Sequence, residues 1–255
     1  DGKGEFNISY KYADSYTTTN YAVIEYGPDG EANEIDDFRI GRDSYIVRDG
    51  KVRFKDIDGG DYYWASMDGN DNTNTSHNVD IFGNYLMDNG WNFKYSTRLH
   101  LAKASLLNII PLSILNANAE DGYTIASTGE AYTGAVGTQL GMNSPEISTT
   151  AIMGRFSINK KIEDHHVTLG ILEQYYDIDN YLSNRSLFFQ TVENQPQRLI
   201  GPNTDEYGFY GYNGGAEFHT GIENKLAVYA SDDWQVNDRF KLNYGIFFRH
   251  HHIDG

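Results

Sequence analysis

The chain has 255 residues, enough for one large domain or for a piece of a bigger protein, since all-β sandwiches and barrels often exceed the usual ~150 residues per domain. A formal net charge of −16 with no basic patch excludes nucleic acid as a partner, because such surfaces need clustered Lys and Arg to displace counterions. The absence of cysteine removes disulfide frameworks, thiolate metal sites and cysteine nucleophiles. With 20 Tyr, 13 Phe and 26 Gly among many Asn, Asp, Ser and Thr, strands joined by turns are favoured over packed helices.

In chain order, the first element is an alternating strand, with Phe6, Ile8, Tyr10 and Tyr12 on one side and Glu5, Asn7, Ser9 and Lys11 on the other. A long connection from Ala13 to Ser76 follows, then a rougher strand from Val79 to Met87. Asn89-Gly90 centres a tight turn. The clearest alternation comes next: Trp91, Phe93, Tyr95, Thr97, Leu99 and Leu101 oppose Asn92, Lys94, Ser96, Arg98 and His100. Leu101 to Leu115 mixes Leu, Ile and Ala at near-helical spacing, which predicts a short helix inside a second long connection, Ala102 to Ser148. Strands at Ile152–Ile158 and Val167–Tyr175 are joined by a short link over Asn159–Asp164. A third long connection, Asp177 to Asn224, leads to Leu226–Trp234, a short turn, and a last strand with Phe240, Leu242, Tyr244, Ile246 and Phe248 on one side.

The expectation is therefore an all-β antiparallel transmembrane β-barrel segment of about seven strands, short turns at one end and long loops at the other. Strict alternation of loop lengths is the layout of outer-membrane barrels, with turns in the periplasm and loops outside. The longest apolar stretch, residues 106–115, is interrupted by Asn108, Pro111 and Ser113 and is far short of the ~20 residues of a spanning helix. A barrel strand needs only ~9–11 residues with alternate apolar ones.

Chemistry-bearing motifs are few. Zincin, nucleophile-elbow and phosphate-loop patterns are absent, so no enzyme, no catalytic residue and no cofactor is expected. His250-His251-His252 carries imidazoles, but adjacent strand residues face opposite ways, so only His250 and His252 share a face. Asp68-Gly69-Asn70-Asp71-Asn72 places oxygen ligands at alternate positions yet lacks the rest of a calcium loop, and no metal site is assigned. Two aromatic and acidic clusters in the long connections are the candidate ligand-binding residues: Tyr62, Tyr63 and Trp64 after Asp61, and Tyr207, Tyr210, Tyr212 and Asn213 after Asp205-Glu206. Flat rings beside carboxylates and amides suit a sugar or an aromatic siderophore.

One hairpin resembles a known family. Leu226 to Arg249 holds Tyr229-Ala230-x-Asp232-x-Trp234, a short turn ending Asp238-Arg239, and an aliphatic-aromatic strand with Gly245 and a final Arg249, and it is similar to a hairpin of TonB-dependent outer-membrane receptors. The family's usual Arg-Tyr-Asp ending is replaced by Arg249-His250-His251. Trp234 and Tyr229 are read as membrane-interface aromatics. Weaker similarity covers Gly4–Asp14, Asp49–Val52 and Asn78–Tyr95. The resemblance implies that residues 1–255 form part of a receptor barrel, without its plug domain and remaining strands, in a bacterial cell outer membrane. It also implies outer-membrane lipid and the TonB complex as partners, the latter through the missing plug. The implied activity is uptake of a ferric siderophore, haem, cobalamin or oligosaccharide. A soluble or surface-anchored β-rich glycan-binding protein is the alternative.

Overall fold

A computed structural model describes residues 3–17, 23–35, 38–57, 60–67, 71–211 and 216–255. The elements are β1 (Gly4–Tyr16), β2 (Ile24–Tyr26), β3 (Ala32–Glu34), β4 (Lys51–Lys55), β5 (Tyr62–Ser66), β6 (Thr73–Leu86), β7 (Asn92–Ala117), a 3-10 turn (Ala119–Asp121), β8 (Thr124–Ile125), β9 (Gly134–Ile162), β10 (His165–Thr191), β11 (Arg198–Ile200), β12 (Phe209–Gly211), β13 (Glu217–Asn237) and β14 (Phe240–Asp254). The fold is all-β and antiparallel. Its frame is a meander of long strands in the order β1-β6-β7-β9-β10-β13-β14, each paired to the next.

Side-chain alternation carried through this register gives the sheet two unlike faces. Ile8 lies opposite Ile81, Ile81 opposite Thr97, Leu99 opposite Ile152, Phe156 opposite Ile171, Ile171 opposite Val228, and Val228 opposite Phe248. Their neighbours one step along build the other face, where Arg98 bonds Asp80 at 2.6 Å, His100 bonds Asn78 at 2.7 Å, and Lys241 bonds Asp233 at 2.9 Å. Charged residues interrupt the apolar face, among them Glu173, opposite Leu226, Lys160, opposite Val167, and Asp232, which receives the Tyr244 hydroxyl and faces the His165 imidazole at 2.6 Å. His165 in turn stacks on Trp234.

The two turns nearest that end are tight. Gly90 takes φ +82° in the link after Leu86, a left-handed position that favours glycine, and only Glu163 and Asp164 separate β9 from β10.

Several expectations need correction. The described residues form fourteen strands, not about seven: the surplus ones are the short β2–β5, β8, β11 and β12, which structure the long connections. The helix expected over 101–115 is the upper half of β7. Pro111 explains this, because inside a helix it would remove a bond and clash, whereas here it sits at a β-bulge between Pro111 and Ser113. The second and third long connections shrink accordingly, to 118–133 and 192–216, because β7, β9 and β10 run on for 26, 29 and 27 residues. Tyr229 does not share the apolar face with Trp234: it is an odd step away, accepts a bond from Arg155 at 3.3 Å and lies over Gly170, where a Cβ would strike its ring.

Among the described residues β1 and β14 are the free edges and no pairing closes the sheet into a barrel. The chain exposes 15566 Å², where a compact monomer of this mass exposes roughly 11,000 Å². The excess lies on the lower meander: Ile8, Ile171, Val228, Ile246 and Phe248 are all exposed. Burial is concentrated instead at the upper ends of β7, β9 and β10. There the β4–β5 hairpin packs Val52, Phe54 and Ala65 with Val47 and Met67 against Leu107, Ile109, Phe188 and Phe209. Two smaller clusters, around Tyr123, Val136 and Leu199 and around Val23, Phe38 and Tyr45, fix the neighbouring loops.

Candidate functional site

The β4–β5 hairpin reads from its own sequence. Lys51-Val52-Arg53-Phe54-Lys55 and Tyr62-Tyr63-Trp64-Ala65-Ser66 both alternate, and the register sets Arg53 opposite Trp64 and Lys55 opposite Tyr62. Val52, Phe54 and Ala65 go down into the core while Arg53, Tyr62 and Trp64 are left facing outward.

A second segment is brought beside them by a carboxylate. Asp205 Oδ1 accepts the backbone N–H groups of Tyr207 and Phe209, both at 2.9 Å, and its Oδ2 accepts from the Arg53 guanidinium. Gly208, at φ +85° with Leu199 O against the place of its missing Cβ, lets this turn press onto β11. The guanidinium of Arg53 then lies between two rings, 4.0 Å from the Tyr62 centroid and 4.5 Å from that of Tyr207. Trp64 meets Tyr207 and Phe209 edge-on at 5.8 and 5.4 Å. Arg198 lies 4.4 Å from Phe209 and 5.4 Å from Trp64, and donates to Asp49 Oδ1 at 2.7 Å and to the Lys51 carbonyl. The result is a ladder of rings and guanidinium groups in which each arginine has its own carboxylate. Such stacking contributes ~0.5–2 kcal/mol per contact, more as water is excluded. Burial holds the Arg198 guanidinium below its ordinary range, with Asp49 opposing that shift.

The two clusters singled out in the sequence therefore meet, but not residue for residue. Tyr62, Trp64 and Tyr207 converge, and each keeps between 43 and 50 % of its surface exposed, enough to offer a ring face. Tyr63 points the other way. It stacks on Phe54, donates to Asn143 Oδ1 at 2.7 Å and accepts from Asn184 at 2.8 Å; burial pushes its phenol well above the ordinary range. It is a tie between hairpin and sheet rather than a ligand group. Tyr210 is exposed on β12, opposite Leu187. Tyr212 and Asn213 lie outside the described residues, as does Asp68–Asn70 of the calcium-like run.

Arg53, Arg198, Asp49 and Asp205 were missed as a group. Arg53 had a legible signal, as the cation placed to face Trp64 once two alternating runs of five are paired as a hairpin, and Asp205 stood in the second aromatic and acidic cluster; Arg198 had none.

Next to Tyr207 opens a depression of about 310 Å³, walled by Val47, Arg48 and Asp49, by Ala126 and Ser127, and by Gln197, Arg198, Glu206 and Tyr207. Among the described residues no group of three or more His, Asp or Glu is arranged to hold a metal ion; His251 is engaged with Glu223 at 2.8 Å, and His250 and His252 lie opposite Leu226 and Asn224. In comparisons with known proteins, no family model matches the chain, nor does any curated protein or solved structure.

Proposed function

We propose that this chain is part of a bacterial outer-membrane β-barrel that takes up a scarce nutrient, with its loop-borne aromatic site as the point of ligand capture. The supporting observation is the unlike pair of faces on the meander: exposed apolar residues line one side of consecutive strands while ion pairs and amides line the other. In water such a face would be covered by a second layer; in a bilayer it is covered by lipid, and the polar side lines a water-filled interior.

Dimensions agree with that reading. From Phe93 to Leu101 the apolar residues of β7 span eight steps, roughly 27 Å along the strand, or about 21 Å of height at a ~40° tilt, close to the ~25 Å apolar band of outer-membrane barrels. β7 and β9 then run on far past that band, which holds the ladder of Arg53, Trp64 and Tyr207 outside the membrane. In a closed barrel the free edges of β1 and β14 pair with further strands, removing edges that would otherwise recruit other chains. Energy supply through TonB follows from the resemblance of the β13–β14 hairpin alone.

Fractionation and transport test the proposal together. The intact protein is expected in outer membranes, released by detergent and not by alkaline carbonate or high salt, and nutrient uptake through it is expected to stop when a protonophore collapses the inner-membrane gradient. Release by carbonate as a folded monomer would overturn the membrane reading, and uptake indifferent to the protonophore would overturn the TonB reading.

A further inference from the structure

We propose that the depression beside Tyr207 binds an uncharged oligosaccharide, a choice of substrate class that takes its physiological meaning from the uptake reading above. Three properties of the walls point to this chemistry.

The first is charge balance. The depression carries Arg48 and Arg198 against Asp49 and Glu206, and the adjoining Arg53 is met by Asp205. Arg198 is already committed to Asp49 and to a backbone carbonyl, Arg48 is offset by Glu206 in the same wall, and the chain as a whole carries −16. A haem or a ferric tris-catecholate siderophore, both anionic, would enter against that field.

The second is the mixture of donors and acceptors. Carboxylates, guanidinium groups, the Gln197 amide and the Ser127 hydroxyl are short-range hydrogen-bonding groups of both kinds in one wall. Hydroxyl groups, which donate and accept at once, satisfy such a wall; a cation or an anion satisfies half of it. Ion-paired carboxylate and guanidinium groups also hold fixed directions, which supplies orientation without net charge.

The third is the aromatic rim. Tyr207 belongs to both the depression and the ladder, so the exposed rings of Trp64 and Tyr62 continue outward from its edge. The C–H faces of sugar rings stack on such surfaces while their hydroxyls turn to the polar wall. On the far side a second depression of about 350 Å³ shares Val47, Arg48 and Asp49, giving a linear polymer more than one place to rest.

The test uses the full-length protein in detergent, probed with an array of neutral hexose and pentose oligosaccharides, then by titration of the best binder against ferric enterobactin and haemin. Neutral oligosaccharide binding is expected, with an affinity that changes less than about two-fold on raising salt ten-fold, because there is no ionic attraction to screen. Tyr207→Ala and Glu206→Gln are expected to weaken it about ten-fold each, on the scale of one stacked ring or one charged hydrogen bond. Tyr26→Ala, an exposed tyrosine on β2 outside the depression and the ladder, leaves it unchanged. Since Tyr207→Ala also disturbs the Arg53 stack, Ser127→Ala and Glu206→Gln at the exposed rim keep the test independent of folding. Failure of every neutral oligosaccharide to bind, strong salt dependence, or binding of haemin or the ferric siderophore that Glu206→Gln strengthens would overturn the oligosaccharide assignment and leave membrane uptake standing. Sugar binding by a protein released by carbonate would do the reverse.

Discussion

Tyr62 and Tyr63 are adjacent, identical in type and opposite in consequence. The hydroxyl of Tyr63 joins Asn143 and Asn184, so Tyr63→Phe leaves buried amide groups short of partners and is expected to cost about 1–3 kcal/mol of local stability. Tyr62→Phe removes an exposed hydroxyl and is expected to stay within about 0.5 kcal/mol. Hydrogen exchange of the β4–β5 amides measures both; equal effects would mean that the Tyr63 bonds are not holding the hairpin. Tyr45 gives a pH signature. Buried against Phe38 with its hydroxyl near Gln139 and Gln190, it has a phenol pushed up to about 12 from 10, burial outweighing the two amides. Its folded form holds the proton more tightly, so the stabilisation is complete below pH 10 and is lost as pH rises toward 12. The loss is on the order of 2–3 kcal/mol. Alkaline titration should loosen the loop around Tyr45 in the natural chain, and Tyr45→Phe should abolish that pH dependence.

Elements were legible where a side chain's surroundings are simple. The lower strands have one uniform environment on each face, so alternation of residues such as Phe93 to Leu101 predicts them directly. The upper half of β7 was misread because its surroundings change along its length: Leu107 and Ile109 are buried under the hairpin while Leu106 and Ile110 stay exposed, and two bulges reset the pairing. That breaks strict alternation and leaves a spacing that imitates a helix. The site was legible as two aromatic clusters but not as one ladder, since Asp205 and Arg53 are joined across 152 residues. How the hairpin is seated can be tested at Gly141, where an added Cβ would meet Val52 at 2.9 Å and Phe54 at 3.1 Å. Gly→Ala in a strand gains about 0.5–1 kcal/mol of backbone entropy, and overpacking a core costs about 1–3 kcal/mol, so the net sign is destabilising. Gly141→Ala should therefore speed exchange at Val52–Lys55 and Tyr62–Ala65 while the β1–β6 ladder stays protected. Unchanged exchange at the hairpin would show that it does not rest on β9.

For the whole molecule, the question is which solvent meets each face of the meander. Ile246 and Phe247 are consecutive on the edge strand β14 and 73 % and 57 % exposed, so in water alone an arginine at either position would matter little. The register puts Ile246 opposite Ala230 on the apolar face and Phe247 opposite Tyr229 on the polar one. If lipid covers the first and water the second, the two substitutions separate. Ile246→Arg in the middle of the band is expected to cost about 2–4 kcal/mol, and Phe247→Arg, reaching into an aqueous interior that already holds Arg155 and Arg249, well under that. Chemical unfolding of the intact protein in phospholipid vesicles, with the fraction inserted measured for each variant, reads the difference. Equal losses for both variants would mean that the two faces meet the same solvent, and the sheet would then need a protein layer in place of the bilayer.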